Sequence, residues 1–142
     1  MNLAELLRKD LVRPDEPDKT RAKELLAIAE RDIKTADDNL KNKNYDWTLA
    51  IAYNAMLSSG RAFMAAKGYR PVAEAHHLAV VQFCAAVLPT DSGNLAVVFN
   101  RYRIKRHDVI YGEAEMIGSG EAENSIKNAK LFLNKIKENI KY

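Results

Sequence analysis

The stretch "WTLAIAYNAMLSSG", Trp47 to Gly60, carries no Asp, Glu, Lys or Arg and is apolar nearly all round. A helix with no polar face has to be packed on more than one side. The segment from about Tyr45 to Lys67 therefore predicts a central helix with others gathered around it. Asn44 is placed to cap its start. Gly68, followed by Pro71, supplies a left-handed stop and a residue that cannot continue the helix.

The flanking segments have one apolar face each. Over about 18–43, Ala22, Leu25, Leu26, Ala29, Ile33, Ala36 and Leu40 recur at threes and fours, the mark of a one-faced helix. Over about 121–140, Ala122, Ile126, Ala129, Leu133, Ile136 and Ile140 do the same. Further helices are expected over about 73–88, ending at Pro89, and over about 95–111, ending at Gly112. A short one over 2–10 presents Leu3, Leu6 and Leu7 and closes before Pro14. No alternation of period two is long enough to predict a strand. The expected fold is all-α: an up-and-down bundle of four long helices with short extra helices, the bundle over 18–140 and the whole of 1–142 one domain.

The longest uncharged run, Ala75 to Thr90, is shorter than the roughly 20 apolar residues of a membrane span and contains two histidines. The first residues mix charges among their leucines and offer no signal-peptide core, so a cytoplasmic, membrane-free protein is expected. The lone cysteine, Cys84 in "VVQFCAAVL", reads as a small apolar core residue. A net charge of +3 does not by itself announce a nucleic-acid binder, so the distribution of charge matters more than the total. Arg101, Arg103, Lys105 and Arg106 form the densest basic cluster. The lysines of the last segment, from Lys127 to Lys141, read as ordinary helix solubility.

The cluster lies in "RYRIKRHDVIYG", residues 101–112. On a helix Arg103, His107 and Tyr111 fall at i, i+4 and i+8, one ridge on one face. Arg101 and His107 point about 120° apart on a regular helix. Charge runs are usually solvated faces, but a guanidinium, an imidazole and a phenol on one ridge also suit phosphate chemistry. An imidazole serves as general base or acid near neutrality. A guanidinium grips a phosphate with two hydrogen bonds and steadies charge developing on it.

Most of the chain resembles a known family, the HEPN domains (higher eukaryote and prokaryote nucleotide-binding). "AERDIKTADDNLKNKNYDWTLAIAYNAMLSSGRAFMAAKGYRP" is similar to the first two helices of prokaryotic stand-alone members, and "AEAHHLAVVQF" to their third. "FNRYRIKRHDVIYG" is similar to their fourth, where an Arg precedes a His by four to six residues. The resemblance implies a helical bundle that often forms a homodimer, with the Arg and His near the interface. In many members it also implies metal-independent RNA cleavage, frequently by a toxin paired with a small nucleotidyltransferase as antitoxin. Other members are non-catalytic modules that bind a nucleotide or a protein.

Carried onto this chain, the resemblance makes Arg101, Arg103 and His107 the expected catalytic residues, with either arginine as the motif arginine. Lys105, Arg106 and Tyr111 are expected to hold a nucleotide or phosphate; no cofactor or metal is expected. Many catalytic members carry Asn or Asp directly after the motif arginine, whereas Tyr102 and Ile104 stand there in this chain. Ribonuclease and binding module therefore both remain open.

Three further features bear on a site. Asn54, Ser58 and Arg61 lie at i, i+4 and i+7 on the apolar central helix, either as supports facing the fourth helix, or in hydrogen bonds across helices or along a partly exposed edge. His76 and His77 suit a helix start or a groove lining. Cys84 is two turns beyond His77, about 10 Å away and too far to share a metal ion. The small residues Ala52, Ala55, Ser59 and Gly60 would permit close helix packing in a homodimer. The segment from Glu113 through "MIGSGEAEN" is expected to be a polar loop over the end of the fourth helix.

Overall fold

The computed structural model describes residues 1–72, 76–112 and 117–140. Its elements in order are α1 (Leu3–Arg8), β1 (Val12–Pro14), α2 (Lys19–Lys41), α3 (Tyr45–Lys67), β2 (Tyr69–Pro71), α4 (His76–Val87), a single 3-10 turn (Thr90–Ser92), α5 (Leu95–Tyr111) and α6 (Ser119–Asn139). The all-α bundle is the architecture that the periodicity predicts.

Helix α3 is the axis, in contact with α2, α4, α5 and α6. Thirteen of its residues are buried, as a segment without a charged face requires. Asp18 caps α2 by accepting a hydrogen bond from the Arg21 amide at 2.8 Å. Asn44 occupies the cap position of α3 but its side chain makes no capping bond; instead the Thr48 hydroxyl donates back to the Asn44 carbonyl at 2.9 Å. Gly68 ends α3 at φ 86°, a left-handed conformation that costs least without a Cβ.

The expectation of no strand is corrected by a small ladder. β1 and β2 pair antiparallel, Val12 opposite Pro71, Arg13 opposite Arg70 and Pro14 opposite Tyr69. Three-residue strands carrying prolines leave no alternation to read, and their pairing depends on the chain turning back at Gly68. The ladder pins the N-terminal segment to the end of α3, and Leu6 from α1 is fully buried. Helix α6 begins at Ser119, two residues before the expected start near Glu121, so the end of the expected polar loop is helical. Glu113 to Met116 of the expected loop, and Ala73 to Ala75 of the expected third helix, lie outside the described residues.

The core runs as one cluster through the bundle. Phe99 of α5 packs on Phe132 of α6 with ring centroids 5.0 Å apart, and Phe63 of α3 meets Phe83 of α4 edge-on at 5.6 Å. Cys84 is fully buried there, and burial pushes its thiol well above its ordinary range. Ala52, Ala55, Ser59 and Gly60 are also consumed inside the chain. A Cβ on Gly60 would stand 2.6 Å from Val80 Cγ1 and 3.2 Å from Cys84 Sγ, so these small residues bring α4 and α5 close to α3. No helix among the described residues is long and apolar enough to cross a membrane.

Candidate functional site

Helix α5 buries Val98, Phe99 and Tyr102, and this inward line continues, turn by turn, to Arg106. A guanidinium thus arrives where an apolar residue would fill the bundle. Arg106 is half-buried, its charge centre 6.0 Å from the centroid of the Tyr53 ring on α3. Such a cation gains from the face of an aromatic ring. Among the described residues its Nε is buried without a hydrogen-bond partner.

Arg103 sits one turn earlier, half-buried, and its Nε donates to Asn100 Oδ1 at 3.0 Å. That bond fixes the plane of the guanidinium and leaves its two terminal nitrogens for a ligand. His107 and Tyr111 follow on the same ridge with ring centroids 4.9 Å apart. Both are exposed, and His107 Nδ1 lies 3.9 Å from Asp108 Oδ1.

The opposite wall comes from another helix. His77, on the first turn of α4, lines one groove with Arg103, Arg106, His107 and Tyr111. Its Nδ1 is 2.8 Å from the phenol oxygen of Tyr53, and the two rings stack at 5.7 Å. Tyr53 is fully buried, and burial raises its pKa well above the ordinary phenol range despite the opposing pull of Arg106 and Arg103. The His77 pKa is lowered, first by burial and then by Arg106, His76, Arg103 and Arg61. The groove thus combines two fixed cations, a neutral imidazole and an exposed imidazole, which suits an anion with a proton to give up.

The ridge of Arg103, His107 and Tyr111 that helix geometry predicts is therefore present, and Arg106 joins it. Arg101 is exposed and lies outside this groove. Lys105 points to α6, where its ammonium pairs with Glu121, and does not line the groove either. Asn54, Ser58 and Arg61 make no hydrogen bond to Arg103 or His107. Ser58 is buried and Asn54 and Arg61 are half-buried, and Arg61 lines a separate cleft with Asp18, Arg21 and Arg70. Tyr53 was missed by sequence reasoning; the signal for it was a tyrosine inside an apolar helix, whose hydroxyl needs a partner.

Of the two helix-start histidines, His76 opens α4 as described and His77 faces the groove. Among the described residues no three His, Cys, Asp or Glu side chains gather closely enough to hold a metal ion.

The chain is similar to TT1696 from Thermus thermophilus, known from a crystal structure, at 24% identity and a TM-score of 0.66, over 83% of this chain and 97% of that one. A likeness at this identity speaks for the fold alone. Among curated proteins none matches. The family model of the HEPN domain matches residues 22–140, from the first turns of α2 to the end of α6 and so across every helix that builds the groove. The chain belongs to the HEPN domain family.

Proposed function

We infer that this chain is a metal-independent endoribonuclease that works in the groove between α4 and α5. HEPN domains are modules of the nucleotide-binding and ribonuclease type in general, and the finer reading rests on one observation. Arg103, Arg106, His107 and Tyr111 line a single groove of about 350 Å³. In RNA cleavage without metal, the ribose 2′-oxygen attacks the adjacent phosphorus as a base removes its proton and an acid protonates the departing 5′-oxygen. His107 supplies acid–base chemistry at the open side of the groove. Arg103 and Arg106 hold the phosphate and stabilise the charge that grows on its oxygens. Tyr111 offers a ring for a base to stack on.

As a partner we propose a small nucleotidyltransferase acting as antitoxin, which makes this chain the toxin of a pair. A homodimer is also proposed. Its support is not the small residues of α3, which are buried within the chain, but exposed apolar side chains, Trp47 on α3 and Val97 and Ile104 on α5. The deciding experiment is incubation of the purified protein with mixed RNA in EDTA, beside His107→Ala. Cleavage by the wild type that the variant loses supports the reading. Intact RNA with and without added metal overturns it.

A specific observation favours the second reading, a non-catalytic binding module. Tyr102, which follows Arg101, is buried, and its hydroxyl accepts a hydrogen bond from Asn128 of α6 at 2.8 Å. If Arg101 is the motif arginine, Tyr102 braces the bundle where many catalytic members carry Asn or Asp. Binding of RNA or of a nucleotidyltransferase through α5, without cleavage, is the outcome that selects this reading.

A further inference from the structure

The groove holds a second imidazole whose surroundings differ from those of the first. Arg103, Arg106, His107 and Tyr111 all come from α5, whereas His77 comes from α4 and enters the groove from the opposite wall. Its ring is fixed on two sides, by stacking on Tyr53 and by the 2.8 Å contact between its Nδ1 and the Tyr53 phenol. Tyr53 has no exposed surface, so this contact lies on the inner side of the imidazole. Among the described residues Nε2 has no hydrogen-bond partner. His107 is held by no comparable contact among the described residues: its side chain is 70% exposed, with the Tyr111 ring 4.9 Å away and Asp108 Oδ1 3.9 Å from its Nδ1. One histidine is oriented by a buried phenol and half-buried, and the other is exposed.

We propose that His77 is the general base of the cleavage reaction, with Tyr53 as its positioning residue and His107 as the general acid. The inference rests on the ribonuclease reading given above. In the tautomer the reaction uses, Nδ1–H donates to the phenol oxygen of Tyr53, which leaves the lone pair of Nε2 for the substrate. Nε2 takes the proton of the ribose 2′-hydroxyl as the 2′-oxygen bonds to phosphorus. The bond from phosphorus to the 5′-oxygen breaks, and the His107 imidazolium gives that oxygen a proton. The products are a 2′,3′-cyclic phosphate and a 5′-hydroxyl, with no change of oxidation state and no co-reactant. His77 ends the step as the cation and His107 as the neutral base, and exchange with water resets both.

For the first half of this step His77 has to begin neutral. Among the described residues the groups facing it are Tyr53 and Arg61 on α3, His76 beside it on α4, and Arg103, Arg106, His107 and Tyr111 on α5. None of them is an anion at neutral pH, so together with burial they hold its pKa below the ordinary histidine range. A catalytic base of lowered pKa gives up some basicity but is unprotonated in most molecules at pH 7. Once RNA is bound, its phosphate between Arg103 and Arg106 offsets the two cations nearest His77. The same binding event that delivers the 2′-hydroxyl therefore makes His77 more basic.

The test uses a synthetic RNA whose cleavage position has been mapped with the wild-type protein, in two forms: natural, and with sulfur replacing the bridging 5′-oxygen at that position. A thiolate leaves without being protonated. His107→Ala is expected to lose about 10²- to 10⁴-fold on natural RNA and to recover most of that loss on the sulfur substrate. His77→Gln is expected to lose a similar factor on both, and to lose the acidic limb of the rate–pH profile. Tyr53→Phe is expected to cleave more slowly and to displace that limb, which a purely structural role would not do. Circular dichroism checks that each variant is folded. If the wild type cleaves and His77→Gln keeps its rate and its acidic limb, or if the sulfur substrate rescues His77→Gln and not His107→Ala, the assignment falls while the ribonuclease reading stands. If the wild type leaves the natural RNA intact, both fall.

Discussion

The phenol of Tyr53 on α3 reaches Nδ1 of His77 on α4 at 2.8 Å, from a ring with no solvent exposure to one at the edge of the groove. This joins the apolar core to the polar wall. Burial keeps the phenol protonated, so it stays a neutral partner of the imidazole. Removing the hydroxyl by Tyr53→Phe keeps the ring and its packing on Phe99 but leaves the imidazole nitrogen without its partner. A loss of about 1 kcal/mol in folding stability is expected, read from the midpoint of urea unfolding at neutral pH. A loss above about 3 kcal/mol would mean that the ring itself had moved, since one neutral hydrogen bond does not carry so much.

The two helix-start histidines make stability depend on pH. Both have pKa values held below the ordinary range, His76 by burial and then Arg61, His77 by burial and then the arginines and His76 around it. On acidification the unfolded chain takes up these protons first, near the ordinary histidine value of about 6.5, so proton uptake favours unfolding. The contribution is fully present above that value and is lost as pH falls through the depressed folded values. The urea midpoint should fall between about pH 7.5 and pH 5, above the range where most carboxylates titrate. His77→Gln should make that fall shallower. An unchanged slope would show that His77 titrates alike in both states.

Gly60 tests the close approach of α4 and α5 to the central helix. Alanine in place of a helical glycine ordinarily gains about 1 kcal/mol. Here the new Cβ would meet Val80 Cγ1 at 2.6 Å, Cys84 Sγ at 3.2 Å and Phe99 Cε2 at 3.4 Å. Valine is stiff about its first side-chain torsion, so the helices have to part, and overpacking of this kind costs about 1–3 kcal/mol. Gly60→Ala is therefore expected to destabilise. Val80→Ala alone also costs stability, but added to Gly60→Ala it should recover part of the loss. A double-mutant cycle showing simple additivity would rule out the contact as the cause.

The helices were legible because each carries its own periodic signal. Leu25, Leu26, Ala29 and Ile33 mark the inner face of α2, and the chargeless run in α3 marks the centre. The ladder of β1 and β2 was not legible, because its three residue pairs are set by the chain reversal at Gly68 and not by any pattern within Val12–Pro14. The same division holds for the site. Arg103, His107 and Tyr111 follow from spacing along one helix. The meeting of His77 with Tyr53, and the aim of Lys105 toward Glu121 instead of the groove, depend on how helices pack against one another, which spacing within one element does not encode.

The family pattern leaves Arg101 and Arg103 both eligible as the motif arginine, and the structure separates them. They are two residues apart, so on a helix they point about 160° apart. Arg103 lies in the groove with its Nε bonded to Asn100, while Arg101 is exposed away from it. If one chain forms the site, Arg103→Lys should lower cleavage by about 10²- to 10³-fold, the cost of losing one oriented donor to a developing charge, because an ammonium cannot present the planar fork. Asn100→Ala, which frees the guanidinium without removing it, should give a smaller loss. Arg101→Lys should stay near the wild-type rate. The reverse ranking would mean that Arg101 reaches a phosphate held elsewhere. Since the groove is on the other side of α5, that phosphate would have to lie against a second copy of the chain. Mixing Arg101→Lys with His107→Ala protein would then restore cleavage, by pairing the intact arginine of one copy with the intact histidine of the other, whereas a site within one chain gives no such rescue.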